Sequence, residues 1–175
     1  MKKWLFLILL FPLICVAQTY RYLGVEDGLS NRRVYCIQKD KTGYMWFLTH
    51  EGIDRYNGKE FKRYKLMDGD AEVNSLLNLN WLYIDQEGVL WEIGKKGKVF
   101  RYDQIHDCFS LVYKLPMESF SEQPDPVTYA WLDQNKHIWL CNKDTIFLYN
   151  TDTRQGTHRK NDISEEIADI EQIDE

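Results

Sequence analysis

The chain has 175 residues, of which 14% are aromatic and 28% charged, a balance that excludes a disordered chain, a collagen and a coiled coil. Its formal charge of −5 gathers at the C-terminal end. Seven acidic residues and no basic one follow Lys160, while Gln18 to Lys160 carries 20 of each sign, so no basic surface for nucleic acid is indicated.

Residues 1–17 read as a secretory signal. Lys2 and Lys3 form a positive start, Trp4 to Val16 is an apolar run broken by Pro12, and Cys15-Val16-Ala17 places small residues where cleavage after Ala17 requires them. A membrane span needs about 20 apolar residues, and this run is shorter. Ile14 is unsuited to the position before a lipid-bearing Cys15, and no other segment is apolar enough to cross a bilayer. Export leaves Cys36, Cys108 and Cys141, without metal-ligand spacing. Cys36 and Cys141 lie in apolar runs and read as small buried side chains; Cys108 is the one left open to a disulfide. No metal and no cofactor is expected.

An internal repeat organises the remainder, a single domain at this length. The segments DKTGYMW (Asp40 to Trp46), DQEGVLW (Asp85 to Trp91) and DQNKHIW (Asp133 to Trp139) recur at intervals of 45 and 48 residues. Ahead of each Asp stand paired apolar residues, Val34/Ile37, Leu79/Leu82 and Val127/Ala130. After each Trp come IDRYNG (from Ile53), VFRYDQ (from Val99) and IFLYNT (from Ile146). A fourth copy opens at Ile167 and Ile170. Periods of about 40–50 residues indicate solenoids, propellers or arrays.

The pattern inside each copy selects among these. Tyr44–Thr49, Val89–Gly94 and His137–Cys141 are short, rich in aromatic and branched side chains, and apolar on both faces, as expected of strands covered on both sides. No segment has a helical stripe of the length a helical repeat requires. Asn57-Gly58 predicts a two-residue hairpin turn, and Gly43 and Gly88 a tight turn that Lys136 interrupts in the third copy. The fold class is therefore all-β, a partial β-propeller of four-stranded antiparallel blades.

The predicted boundaries are the signal at 1–17, an outer closing strand at 18–28 centred on Tyr20–Leu23, a first blade at 29–70, a second at 71–125 with an insertion at Met117–Asp125, a third at 126–160, and the opening of a fourth at 161–175. Tyr20–Leu23 is assigned to an outer strand because it parallels Phe61–Tyr64. About three blades fall short of a ring of six to eight, which implies a piece of a larger protein.

The stretch from Gly28 to Tyr64 resembles the regulator-propeller repeat, with GLS-N, D-x-x-G-x-x-W, R-Y-N-G and F-x-x-Y in order; Val73–Phe109 follows it well and Val127–Thr153 loosely. Departures are Lys136 for glycine, Leu148 where Arg55 and Arg101 stand, and Thr49-His50-Glu51 in place of a Gly-Thr turn. The resemblance implies a seven-bladed ring in the periplasmic sensor half of a hybrid two-component regulator. There the partner is an oligosaccharide released from glycans, the receptor is a homodimer, and a kinase and DNA-binding part, absent from this chain, complete the phosphorelay. The alternatives are a secreted propeller lyase or glycosidase and a plain adhesion propeller.

Residues that recur in every blade read as frame. Asp40, Asp85 and Asp133 are expected to cap turns, Trp46, Trp91 and Trp139 to pack between blades, and Arg55 and Arg101 to make structural contacts. No catalytic or dinucleotide motif is present. Ligand-binding candidates are therefore loop residues that do not repeat: His50 and Glu51, Lys95 and Lys96, and the Met117–Asp125 insertion.

Overall fold

The computed structural model describes residues 20–73, 79–115 and 126–161. The leader at 1–17, the insertion at 117–125 and the fourth-repeat residues Ile167 and Ile170 lie outside the described residues. Three sheets follow one another along the chain. The first runs in the order β1 (Val34–Lys39), β2 (Met45–Thr49), β3 (Gly52–Tyr56), β4 (Phe61–Tyr64), and every neighbouring pair is antiparallel. The third repeats that order in β11 (Tyr129–Leu132), β12 (His137–Cys141), β13 (Thr145–Asn150) and β14 (Gln155–Lys160). These are propeller blades, as the alternation of apolar side chains requires.

The middle blade departs from the expected count. Its four repeat strands are β7 (Leu79–Ile84), β8 (Leu90–Gly94), β9 (Lys98–Asp103) and β10 (Cys108–Lys114). A hairpin of β5 (Leu66–Asp68) and β6 (Ala71–Val73) extends the sheet to six. β5 lies parallel to β10, with Leu66 opposite Phe109, and the Phe109 amide donates to the Lys65 carbonyl at 3.1 Å. The hairpin at 66–73 therefore belongs to the sheet of the second blade. Leu66 crosses over because its side chain is buried beside Trp46 and Phe109.

Alternation along β2 and β3 sends Trp46, Leu48, Ile53 and Arg55 toward the second blade and Phe47, Asp54 and Tyr56 away from it. Two cores result. Trp46, Leu48, Ile53, Tyr64 and Leu66 meet Leu82, Leu90, Phe100 and Phe109 between the first and second blades. Trp91, Ile93, Val99 and Leu115 meet Ala130, Ile138, Leu140, Phe147 and Tyr149 between the second and third. Trp46 and Trp91 are buried as expected, whereas Trp139 is half-buried on the outward face of the third blade. The blades are also stitched at their inner strands, where Gln38 Nε2 donates to the Leu82 carbonyl at 3.0 Å and Tyr83 Oη to the Ala130 carbonyl at 2.5 Å.

The turn that joins the first two strands of each blade is built identically. In the first, Asp40 Oδ1 accepts from the Thr42 amide at 2.9 Å and the Tyr44 amide at 3.0 Å, while Oδ2 accepts from the Trp46 indole at 2.8 Å. Asp85 holds the Val89 amide and the Trp91 indole, each at 2.8 Å, and Asp133 holds the His137 amide at 2.8 Å and the Trp139 indole at 2.9 Å. Gly43 and Gly88 take φ of 93° and 90° in this turn, and Lys136 adopts 64° in the same place. The glycine is therefore replaceable here: the Lys136 ammonium pairs with Glu87 at 2.5 Å and Asp152 at 3.2 Å.

One other sequence expectation is corrected. Asn57-Gly58 is not a two-residue hairpin turn. β3 and β4 are joined by a four-residue loop, 57–60, in which Asn57 Oδ1 accepts from the Lys59 and Glu60 amides at 2.8 and 2.9 Å and only Gly58 has a positive φ. Asp103 and Asn150 cap the corresponding loops of the other blades in the same way, so the side-chain acceptor, not the glycine, is the shared element. Tyr20–Leu23, expected to complete a blade from a far part of the ring, pairs with no strand among the described residues, and Tyr20 and Tyr22 are exposed. The chain then makes a single 3₁₀ turn at Val25–Asp27 and lies on the far face of the first blade, where Leu29 is buried. There the Ser30 amide and hydroxyl donate to Asp54 Oδ2 at 2.8 and 2.5 Å. Cys141 is buried as expected. Cys36 is only half-buried, its thiol 3.5 Å from the Leu82 carbonyl, and Cys108 is a free thiol.

Gly97 and Gly43 separate two effects on stability. Both have positive φ, but a Cβ on Gly43 would meet nothing within 4 Å, whereas one on Gly97 would overlap the buried Leu115 side chain, reaching its Cβ at 2.8 Å. Gly43→Ala is expected to destabilise by about 1–2 kcal/mol, the backbone term alone. Gly97→Ala adds overpacking and is expected to lose about 2–4 kcal/mol. Urea melts of the two variants check this; equal losses would show that Leu115 yields without strain.

Candidate functional site

Antiparallel order gives each blade two unlike ends. The β2–β3 type of loop lies at one end, and the β1–β2 and β3–β4 turns lie at the other. Equivalent turns of adjacent blades are side by side, since Lys41 bonds the Gln86 carbonyl and Lys62 bonds Asp107 across the first interface.

The candidates His50, Glu51, Lys95 and Lys96 all lie at the first end, on the β2–β3 loop of the first blade and the β8–β9 loop of the second. Their surroundings differ. His50 is exposed, with Nδ1 2.9 Å from Tyr35 Oη. Glu51 is tied into the frame: its Oε1 accepts from Asn31 at 3.1 Å, and Oε2 lies 3.8 Å from Arg63. Lys95 and Lys96 project from a turn whose backbone is pinned, the Lys95 carbonyl accepting from the Val127 amide at 2.8 Å. Behind the first loop, the Asp54 carboxyl is fully buried against Ser30, whose hydroxyl also pairs with Thr49 Oγ1, and that burial raises it above the ordinary carboxylate range, an effect the Ser30 hydrogen bonds reduce.

A cavity of about 440 Å³ opens at the opposite end, in the crease between the first and second blades, and none of those four residues lines it. Its walls are the Asp40–Tyr44 turn and Arg55 of the first blade and the Glu87–Leu90 turn and Arg101–Ile105 of the second. Arg55 stands over an aromatic platform, its guanidinium carbon 4.5 Å from the centre of Tyr44, 5.2 Å from Tyr64 and 5.4 Å from Trp46. Sequence reasoning assigned Arg55 to structure, and the stack agrees. What it missed is that the stacked residue also borders a cavity.

Beneath the cavity runs a polar seam. Tyr102 donates to Asp107 Oδ1 at 2.6 Å, Lys62 bonds the other carboxylate oxygen, and the buried Tyr64 hydroxyl lies beside both without a hydrogen bond of good geometry. Burial pushes the Tyr102 phenol up to about 12 and Tyr64 higher still, with the negative Asp107 adding to both. Burial alone would raise Asp107 as well, but the hydrogen bonds from Lys62 and Tyr102, with the Tyr64 hydroxyl close by, outweigh it and hold the carboxyl down at about 2. A carboxyl lowered by folding contributes stability that is complete above its unfolded value and is lost as pH falls through its folded one. Asp107→Asn is therefore expected to melt below the parent at neutral pH, and the gap should close between about pH 4 and pH 2. A gap that persists at pH 2 in thermal melts would mean that the amide disturbs packing instead.

The described residues contain no group of His, Cys, Asp and Glu able to hold a metal, and no helix among them is long and apolar enough to cross a membrane. Residues 28–51 match the sequence profile of the two-component regulator propeller. No curated protein matches the chain. Among solved structures, the chain is similar to the extracellular domain assigned to the hybrid two component system BT3049 of B. thetaiotaomicron. The two are 29% identical with a TM-score of 0.62, over 80% of this chain and 20% of that one. A second extracellular domain from that organism, BT4673, superposes with a TM-score of 0.61 at 19% identity over 86% of this chain and 20% of its own. A virginiamycin B lyase from Staphylococcus aureus shares the fold at a TM-score of 0.55 and 19% identity, over 77% of this chain and 44% of the lyase. The chain thus spans about a fifth of the length of the two extracellular domains. The family match thus covers part of the first repeat, and the fold is that of the propellers in these extracellular domains of two-component systems.

Proposed function

We propose that this chain is part of the periplasmic, ligand-sensing propeller of a hybrid two-component regulator, exported by the signal at 1–17 and completed by further blades to a ring of seven. The observation that carries this is the coincidence of the regulator-propeller match at residues 28–51 with 29% identity to the BT3049 extracellular domain across four-fifths of the chain. In this reading the propeller binds an oligosaccharide released from a glycan and does no chemistry of its own. Binding favours one arrangement of two receptor copies over another, which requires unequal affinity for the two arrangements.

The frame supports this assignment. The Asp and Trp residues that an enzyme might have used are engaged by the turns of all three blades and, for Trp46 and Trp91, by the interfaces, so ligand recognition falls to other residues. Sequencing in frame past Glu175 tests the reading directly: more blades, one membrane helix and a histidine kinase are expected, and a glycosidase or lyase propeller would overturn it.

The assignment of frame and loop is tested in the receptor by a transcriptional reporter. Trp91→Ala removes a buried ring from the second interface and is expected to lose about 3–5 kcal/mol of stability, with the response falling only as folded protein falls. Exchanging Lys95 and Lys96 for alanine should shift stability by no more than about 0.5 kcal/mol, as for other exposed loop changes, while altering the oligosaccharide concentration that gives half response. Trp91→Ala that melts normally but does not respond would make the tryptophan a binding platform.

A further inference from the structure

The cavity between the first and second blades has an unusual charge economy. Three carboxylates border it, and each is already engaged. Asp40 is filled by the Thr42 and Tyr44 amides and the Trp46 indole, Glu87 pairs with Lys136 at 2.5 Å, and Asp103 accepts from the Ile105 amide at 2.8 Å and bonds His106 Nδ1 at 2.6 Å. Arg55 is the converse. It is half-buried, yet it has no ion pair and no hydrogen-bond acceptor among the described residues; its recorded partners are aromatic rings. Stacking uses the faces of the guanidinium and leaves its N–H edge, so the donors that Arg55 retains are available to the cavity.

The three-ring stack occurs once among the described blades. Arg101, the equivalent residue of the second blade, also borders the cavity but is exposed and lies 5.8 Å over Trp91, the ring that packs against the third blade, and Leu148 takes the position in the third. A volume of about 440 Å³ suits one or two rings and is at the small end of ligand pockets.

We propose that this crease is a binding site for a small ring-bearing carboxylate, which the guanidinium edge of Arg55 grips through two parallel hydrogen bonds against the Tyr44 ring. The carboxylate follows from the planar fork of donors and the absence of any competing acid on Arg55. That the natural ligand is an acidic sugar, a uronate, rests on the sensor reading given above.

The test is calorimetric titration of the protein with glucuronate, with benzoate as a carboxylate that is not a sugar, with glucose as the neutral sugar, and with inorganic sulfate. Saturable binding of glucuronate, none of glucose, and a loss of affinity of about tenfold or more in Arg55→Lys, which keeps the charge but not the fork, are expected. Arg159→Lys, on the exposed outer strand of the third blade and away from the cavity, should bind as the parent does. Because Arg55 also packs on the core, the melting temperature of Arg55→Lys is measured alongside, and if it unfolds, the selectivity of the parent protein decides. Equal binding of glucose, no binding of either carboxylate up to about 10 mM, which corresponds to less than about 3 kcal/mol, or unchanged affinity in Arg55→Lys overturns the site. Benzoate binding equal to glucuronate, or tighter sulfate than carboxylate, overturns the uronate or the carboxylate assignment respectively. Uronate binding without any reporter response would leave the site standing and overturn the sensor reading; a response to a neutral oligosaccharide without uronate binding would do the reverse.

Discussion

The structure depends on one interaction made three times, the carboxylate of Asp40, Asp85 or Asp133 bonded at once to a turn amide and to the indole of the tryptophan six residues on. A tryptophan in the middle of a blade contributes a large apolar face to the next blade, but its N–H must also be satisfied, since a buried donor left alone costs about 1–3 kcal/mol. The aspartate satisfies that donor and fixes the hairpin that carries the ring. Asp40 shows the balance: burial would raise its carboxyl, and the Thr42, Trp46 and Tyr44 hydrogen bonds bring it below its ordinary value instead.

From this clamp the interfaces follow. With Trp46 fixed, Tyr64 can approach it at 4.9 Å from the outer strand, and Tyr102 and Phe109 at 5.1 and 5.9 Å from the next blade. The second interface uses a different closing pair. Tyr113 stacks on Tyr149 at 4.5 Å and passes directly over Gly156, where any side chain would collide with it. The blades are thus equivalent in frame and individual in how they meet.

That distinction explains what was legible in the sequence. The clamp residues, the strands at 45–49, 90–94 and 137–141 and the number of blades were readable because each is enforced in every copy. The β5–β6 hairpin was not, since two three-residue strands carry no period and join the second blade only because Leu66 finds Trp46 and Phe109. Nor was the end of β3, where Asn57 and Gly58 suggested a tighter turn than the asparagine side chain builds. Tyr20–Leu23 resembles Phe61–Tyr64 in pattern, but a strand is defined by its partner, and none lies among the described residues, while Ser30 downstream bonds the Asp54 carboxylate. For the candidate site the loss was of another kind. Loop residues were favoured because they vary between blades, yet Glu51 proves to be held by Asn31 and Arg63. Arg55 was assigned to structural contacts together with Arg101, although only Arg55 stacks on three rings at the cavity without an ion pair among the described residues. The signal available in sequence was Leu148, which shows that the third blade does without this arginine.

The position of Arg55 also bears on how binding in the crease would reach the rest of the molecule. Its guanidinium rests on Tyr44, Trp46 and Tyr64 of one blade, while Tyr102 of the other packs on Trp46 and Tyr64 and is bonded through Asp107 to Lys62 of the first. A ligand on the N–H edge therefore draws charge away from rings that face two blades at once, and its affinity depends on how closely those blades are set. Packed interfaces shift between discrete arrangements more readily than they deform continuously. A ligand with unequal affinity for two settings of this crease would then bias the angle between blades, the kind of rigid-body change that a receptor dimer can pass on.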